Sequence, residues 1–233
     1  MLGTYSYPKF EYVAPPELKS GETGRYPVVV VGAGPVGLAA AIELAQSGLP
    51  VVVLDDDDTV SVGSRGVCYA KRALEILDRI GVGDACVARG VSWNVGRTFF
   101  REAEVYNFNL LPQPDHKRPG MINLQQYYLE EFLVRRAREL PGLDLRFRNK
   151  VVSVSPAGNG ATLQVETPDG SYALTADWLI VADGARSAIR GLMNLDIEGR
   201  VFLDRFLIAD VVMKADFPAE RWFWFDPPFH PGQ

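Results

Sequence analysis

The stretch Pro27-Val28-Val29-Val30-Val31-Gly32-Ala33-Gly34-Pro35-Val36-Gly37-Leu38-Ala39-Ala40-Ala41 restricts this chain more than any other. A run of β-branched residues without polar alternation reads as a strand buried on both faces, as in a parallel sheet. It stops at a glycine-rich turn and reopens as an alanine-rich helix. Gly32, Gly34 and Gly37 make G-x-G-x-x-G. The first glycine permits a tight turn, the second lets the backbone approach a pyrophosphate, and the third lets helix and strand pack closely. Pro35 falls in the first helical turn, where a missing N–H costs nothing. Free amides and the positive end of the helix dipole then face the phosphates. The segment Gly32, Ala33, Gly34, Pro35, Val36 and Gly37 is therefore the candidate dinucleotide cradle.

A second strand, expected over 49–54, ends in Asp55, roughly 20 residues past the glycines, as this fingerprint requires. A carboxylate there can accept hydrogen bonds from both ribose hydroxyls of an adenosine. Asp56 competes for the same role. The rest of the Asp55–Asp58 run reads as a solvated loop, because like charges that close repel. The alternative for the whole unit is a tight strand–helix turn with no ligand.

Composition narrows the classes. The chain has 233 residues, 47% of them hydrophobic, which is enough for a real core. A net charge of −5 offers no basic stripe, which argues against nucleic acid as a partner. The two cysteines, Cys68 and Cys86, are far apart, fit a reducing cytosol, and read as buried small apolar residues. With two histidines, His116 and His230, a zinc centre or a Ser-His-Asp triad is not expected. No apolar stretch is long enough to span a bilayer, and no signal-peptide pattern is present at the N-terminus. A soluble cytoplasmic location follows as the expectation.

Residues 1–26 are rich in Tyr, Pro and Gly and read as an extended arm, loose or lying on the surface. After the strand–helix–strand unit comes a Gly/Ser loop, 60–67, that carries Arg65. Ala73, Leu74, Leu77 and Ile80 have helical spacing, and Gly81 closes that helix. Residues 91–110 change period and suggest an aromatic hairpin or meander. A helix is expected from Asn123 to Leu140. Strands follow at 143–147, 151–155, 162–167 and 172–181, the last three joined by glycine turns as a β-meander. Residues 201–213 read as another strand. Trp222-Phe223-Trp224-Phe225 alternates like a strand but has no later strand to pair with. Two readings follow for that tail: the chain is part of a longer protein, or a second copy covers the tail in a homodimer.

Two further motifs stand out. Asp183-Gly184-Ala185-Arg186-Ser187-Ala188-Ile189-Arg190 follows an apolar strand. Gly184 allows close backbone approach, and Arg186 and Arg190 can meet phosphate. Gln126-Tyr127-Tyr128-Leu129-Glu130 opens the long helix, with Gln125 adjoining. On these motifs and the glycine segment, the sequence from about residue 27 onward resembles the class A flavoprotein monooxygenases, the p-hydroxybenzoate hydroxylase-like family. It is similar to the branch holding 3-(3-hydroxyphenyl)propionate hydroxylase-like enzymes. The match is to D-G-x-x-S-x-x-R and Q-x-x-L-E. Asp55 departs from the Glu usual at that strand end, and the family's later G-D motif is missing.

The resemblance implies an α/β fold: a Rossmann-like FAD-binding domain with a βαβ start, an inserted β-meander, and part of a β-rich substrate domain. It divides the chain into an arm (1–26), the FAD-binding domain (27–90 and 115–195) and partial substrate-binding β structure (91–114 and 196–233). Asp204–Asp210 would be a substrate-domain strand. FAD, NAD(P)H and dioxygen are implied, with hydroxylation of a small phenolic substrate through a flavin C4a-hydroperoxide. Asp183, Gly184 and Arg186 would serve flavin and NAD(P)H, Gln126 the ribityl chain, and Arg65 the flavin or nicotinamide. The aromatic hairpin would wall the substrate pocket, and no catalytic residue is assigned. Alternatives are a halogenase or reductase on the same scaffold, or a nucleotide-binding module without turnover. The Trp222-Phe223-Trp224 segment is only superficially like a halogenase's tryptophan motif.

Overall fold

The computed structural model describes residues 5–63, 65–209, 211 and 214–232. After an irregular arm come α1 (Pro16–Ser20), β1 (Gly24–Val31), α2 (Pro35–Gln46) and β2 (Val51–Asp55). Then follow β3 (Cys68–Ala70), α3 (Lys71–Arg79), α4 (Gly83–Arg89), β4 (Val91–Trp93), β5 (Val95–Phe100) and β6 (Ala103–Asn109). Next are β7 (Met121–Asn123), α5 (Gln126–Arg138), β8 (Leu143–Phe147), β9 (Lys150–Ala157), β10 (Gly160–Thr167) and β11 (Gly170–Val181). The chain closes with α6 (Ala188–Leu192) and β12 (Arg221–Phe225).

The main sheet has six strands in the order β8-β2-β1-β11-β10-β9. β8, β2, β1 and β11 run parallel, while β11, β10 and β9 form the antiparallel meander. Val28 and Val30 of β1 belong to one core with Leu38, Ala41 and Ile42 of α2 and Leu133, Val134 and Ala137 of α5. Val29 and Val31 face the other way, into a second core with Leu163 and Val165 of β10 and Leu174 of β11. Burial on both faces is the reason β1 shows no polar alternation.

The arm lies on the surface. Glu17 of α1 and Arg146 of β8 are both 4% exposed and form a buried ion pair at 3.0 Å, joined by the Tyr26 and Tyr172 hydroxyls. Among the described residues there are also two smaller sheets, β3-β7-β4 and β12-β5-β6.

Three expectations are corrected. The aromatic tail does have a partner, since β12 pairs in parallel with β5 from Arg221–Gly96 to Phe225–Phe100. The missing neighbour was earlier in the chain, not later. Residues 201–209 form no strand; their side chains stand in solvent, with Leu207 96% exposed. Apolar alternation makes a strand only where a second backbone takes up its N–H and C=O groups. Asp210, Val212 and Met213 of that expected strand lie outside the described residues. Cys68 is exposed, at the edge of the three-stranded β3-β7-β4 sheet, whereas Cys86 is buried.

Candidate functional site

Parallel register puts four loop starts side by side. Val31 pairs with both Leu54 and Val181, and Asp55 pairs with Phe147. The segments after β1, β2, β11 and β8 therefore leave the sheet at one edge, the C-terminal ends of the parallel strands. Strand order reverses there, between β1 and β11, and open α/β sheets bind their ligands at such a crevice. Backbone bonds lock it: Gly32 N–H donates to Leu54 O (2.8 Å), Ala182 N–H to Val31 O (2.8 Å) and Asn149 N–H to Asp55 O (2.7 Å).

The glycines meet different demands. Gly32 has φ +104°, and a Cβ on it would lie 2.4 Å from Ala182 O and 3.0 Å from Asp183 N. The turn after β1 and the turn after β11 thus touch, although their residues are far apart in sequence. A Cβ on Gly37 would lie 1.9 Å from Gly32 O, while one on Gly34 would meet nothing within 4 Å. Pro35 is the first residue of α2, and its N-cap, Gly34, has no side-chain cap. Leu38 N–H is the first to bond back, to Gly34 O at 3.0 Å. The amides of Gly34, Val36 and Gly37 precede it and have no intrahelical partner. The Val36 side chain itself points to solvent. An open space above unpartnered amides at the positive end of a helix is an anion site.

Asp55 holds the turn from the other side. Its Oδ2 accepts from Ala33 N–H at 2.5 Å and its Oδ1 from Asp57 N–H at 2.9 Å. Burial pushes its carboxyl up to about 6, against the pull of the two amide donors. Asp56 is exposed and lines the same cleft. Asp183 Oδ2 accepts from Ile189 N–H at 3.1 Å, and Ser187 Oγ caps α6 by accepting from Arg190 N–H at 3.0 Å. Gly184, at φ +80°, lets the chain reverse between the Asp183 carboxylate and the exposed Arg186.

Together Gly32, Asp55, Asp56, Asp183 and Arg186 line a cleft of about 260 Å³. Asn149 and Lys150 line it too, and sequence reasoning missed them. Asn149 is 1% exposed, accepts from the Tyr172 hydroxyl at 2.7 Å and donates to Phe147 O at 2.8 Å. Arg148-Asn149-Lys150 reads in the sequence as an ordinary polar turn between two strands, so no local signal could have singled it out. Lys150 and Arg186 give the cleft two cations beside its carboxylates.

Gln126 and Arg65 stand elsewhere. Gln126 Nε2 donates to Glu130 Oε1 (2.7 Å) and Ser61 Oγ (3.1 Å), and buried Glu130 also accepts from Ser61 N–H (2.5 Å) and from the Ser61 hydroxyl. Gln126 Oε1 sits 3.1 Å from the position of a Cβ on Gly66. Arg65 is exposed and has no hydrogen bond or ion pair with the described residues. Gln125 lines a separate recess with Arg89, Asn123 and Tyr128.

The family described as FAD binding domain matches residues 25–230. The para-nitrophenol 4-monooxygenase of Pseudomonas sp. (strain WBC-3) is 32% identical over 187 residues, 79% of this chain and 46% of that enzyme. The 6-hydroxy-3-succinoylpyridine 3-monooxygenase HspB of Pseudomonas putida (strain DSM 28022 / S16) is 34% identical over 197 residues, 81% of this chain and 49% of that enzyme. Among solved structures, p-nitrophenol 4-monooxygenase PnpA from Pseudomonas putida DLL-E4 superposes with a TM-score of 0.71 at 32% identity, covering 78% of this chain and 46% of that one. The chain therefore spans about half the length of these curated relatives. The cleft suits such a dinucleotide: bare amides over open space at Gly34 for phosphate, carboxylates at Asp55 and Asp56 for hydroxyls, and cations at its rim.

Proposed function

Because this chain belongs to the FAD binding domain family, we propose that it is the FAD-holding part of a monooxygenase that hydroxylates a phenolic ring with dioxygen and NAD(P)H. The observation that supports this reading is the contact between the Gly32 turn and the Asp183 turn at the strand-order reversal. Bound there, the flavin supplies the electron transfer from NAD(P)H to dioxygen that hydroxylation needs. The chain's residues bind and orient it. The amides of Gly34, Val36 and Gly37 take the pyrophosphate, helped by the dipole of α2. Asp55 and Asp56 take the ribose hydroxyls. Asp55 is already fixed by Ala33, so its free lone pairs point from a rigid support. Asp183 stays oriented by its bond to Ile189 and meets the flavin side, with Gly184 and Arg186 beside it.

Gln126 bonds to Ser61 and Arg65 belongs to the same loop, and we assign them to the ribityl chain and to the flavin or nicotinamide. The sheet of β5, β6 and β12, with Phe99 stacked on Trp224 at 4.9 Å, is our candidate wall for a small aromatic substrate. The domain division given above, a cytoplasmic location and a homodimer are further parts of this reading. Among the described residues, no helix is long and apolar enough to cross a membrane.

Titration of the purified chain with FAD tests the core of the proposal. The expected result is saturable quenching of flavin fluorescence and a structured visible absorption band. Oxidation of NADH or NADPH that accelerates on adding a phenol then tests the hydroxylase. A folded chain that takes up no FAD overturns the cofactor reading.

A further inference from the structure

Several hydrogen bonds of the arm converge on one segment. Phe10 N–H donates to Asp58 O at 2.7 Å, the Thr59 hydroxyl donates to Pro8 O at 2.6 Å, and Gly63 N–H donates to the Tyr7 hydroxyl at 3.1 Å. These bonds reach the segment between Asp56, which lines the cleft, and Arg65. The arm is itself anchored on rigid elements. Tyr5 stacks on Tyr127 of α5 at 4.2 Å and donates to Glu131 Oε2 at 2.8 Å, and buried Phe10 stacks on Phe147 of β8 at 4.4 Å. From the inner side, α5 holds the same segment through Glu130 and Gln126 on Ser61. Residues 58–63 are thus gripped between the arm and α5.

We propose that residues 5–13 are an intramolecular clamp that holds residues 58–63, which follow the cleft-lining Asp55 and Asp56 directly in the chain, so that order in the arm and occupancy of the cleft are linked. The matched family residues begin at 25, so the clamp is built from sequence that the match does not include. Tyr7 and Thr59 are positioning residues that act through the segment. The linkage part, and not the clamp itself, rests on the FAD reading. Coupling of two sites is reciprocal. FAD in the cleft must therefore quiet the arm by the same factor by which the arm raises FAD affinity.

The test uses the full chain with Tyr7→Phe and Thr59→Val, each of which removes one hydroxyl and keeps its packing. Hydrogen exchange is followed by mass spectrometry on peptides covering 5–13, 58–66 and, as control, β1 and β11. Loss of one hydrogen bond predicts exchange at 58–66 faster by about three- to tenfold in each variant, with the control peptides unchanged. FAD affinity should fall by a similar factor, and saturating FAD should slow exchange in 5–13 of the unaltered chain. Unchanged exchange at 58–66 in both variants overturns the clamp, as does a rise shared equally by β1 and β11. If the unaltered chain binds no FAD, the FAD reading fails, and the 58–66 exchange still decides the clamp.

Discussion

Gly34 and Gly37 carry the same side chain for opposite reasons, which separates folding from binding at single residues. Gly37→Ala drives a Cβ into Gly32 O. Strain of that kind costs about 3 kcal/mol, so the urea midpoint should fall sharply. Gly34→Ala meets nothing in the fold and should leave the midpoint unchanged. It fills the space above the bare amides, so FAD affinity should drop by an order of magnitude or more in a fluorescence titration. Asp55 gives a pH signature. Its carboxyl titrates near about 4 in an unfolded chain and at about 6 in the fold. Between those values the folded state holds a proton that the unfolded state has released, so stability falls as pH rises from about 4 to about 6. The ionised carboxylate is the better acceptor for ribose hydroxyls, so FAD affinity should rise as pH rises toward about 6. Asp55→Asn should flatten both curves, and denaturation and FAD titrations across that pH range check it.

At the level of elements, the short helix α1 is held by a buried charge pair. Glu17→Ala leaves the Arg146 guanidinium in place with Asp144 and two tyrosine hydroxyls as remaining partners. Breaking a buried pair from one side costs about 3–5 kcal/mol. A loss of that order in chemical unfolding is the expected result, and a loss below about 1 kcal/mol, the worth of a surface pair, would show that water reaches the pair. Strand and helix identity was legible wherever a period was clean: β1, α2, α5 and the β9–β11 meander stand in the structure near their expected ranges. The period was uninformative for β3 and β7, each three residues long, which form only through pairing, β7 lying between β3 and β4. It misled at 201–209, where alternating apolar residues found no second backbone among the described residues.

At the level of the molecule, apolar side chains gather on the surface in one region of sequence. Val201, Phe202, Leu203, Phe206, Leu207 and Ile208 are each at least four-fifths exposed. So many exposed apolar side chains close together in sequence favour association. This chain in isolation should therefore scatter light increasingly with concentration. Phe206→Asp together with Leu207→Asp should reduce that scattering without changing FAD binding, since neither residue lines the cleft. Persistent association in the double variant would locate the contact elsewhere, with the exposed faces of Trp222–Phe225 as the next candidate.

The sequence by itself determined the local chemistry: the glycine turn, the acidic strand end and the Asp183 turn are written in contiguous residues whose backbone demands are local. Their spacing also carried the α/β class and the family resemblance. Only the tertiary structure decided that these turns share one cleft. That outcome depends on β1 lying between β2 and β11 in a fixed parallel register, and strand order is set by long-range burial, not by any local signal. The same cause hid Asn149 and Lys150, the β5 partner of the aromatic tail, and the grip of the arm on residues 58–63. Each joins residues that are distant along the chain, and only packing brings them within bonding distance.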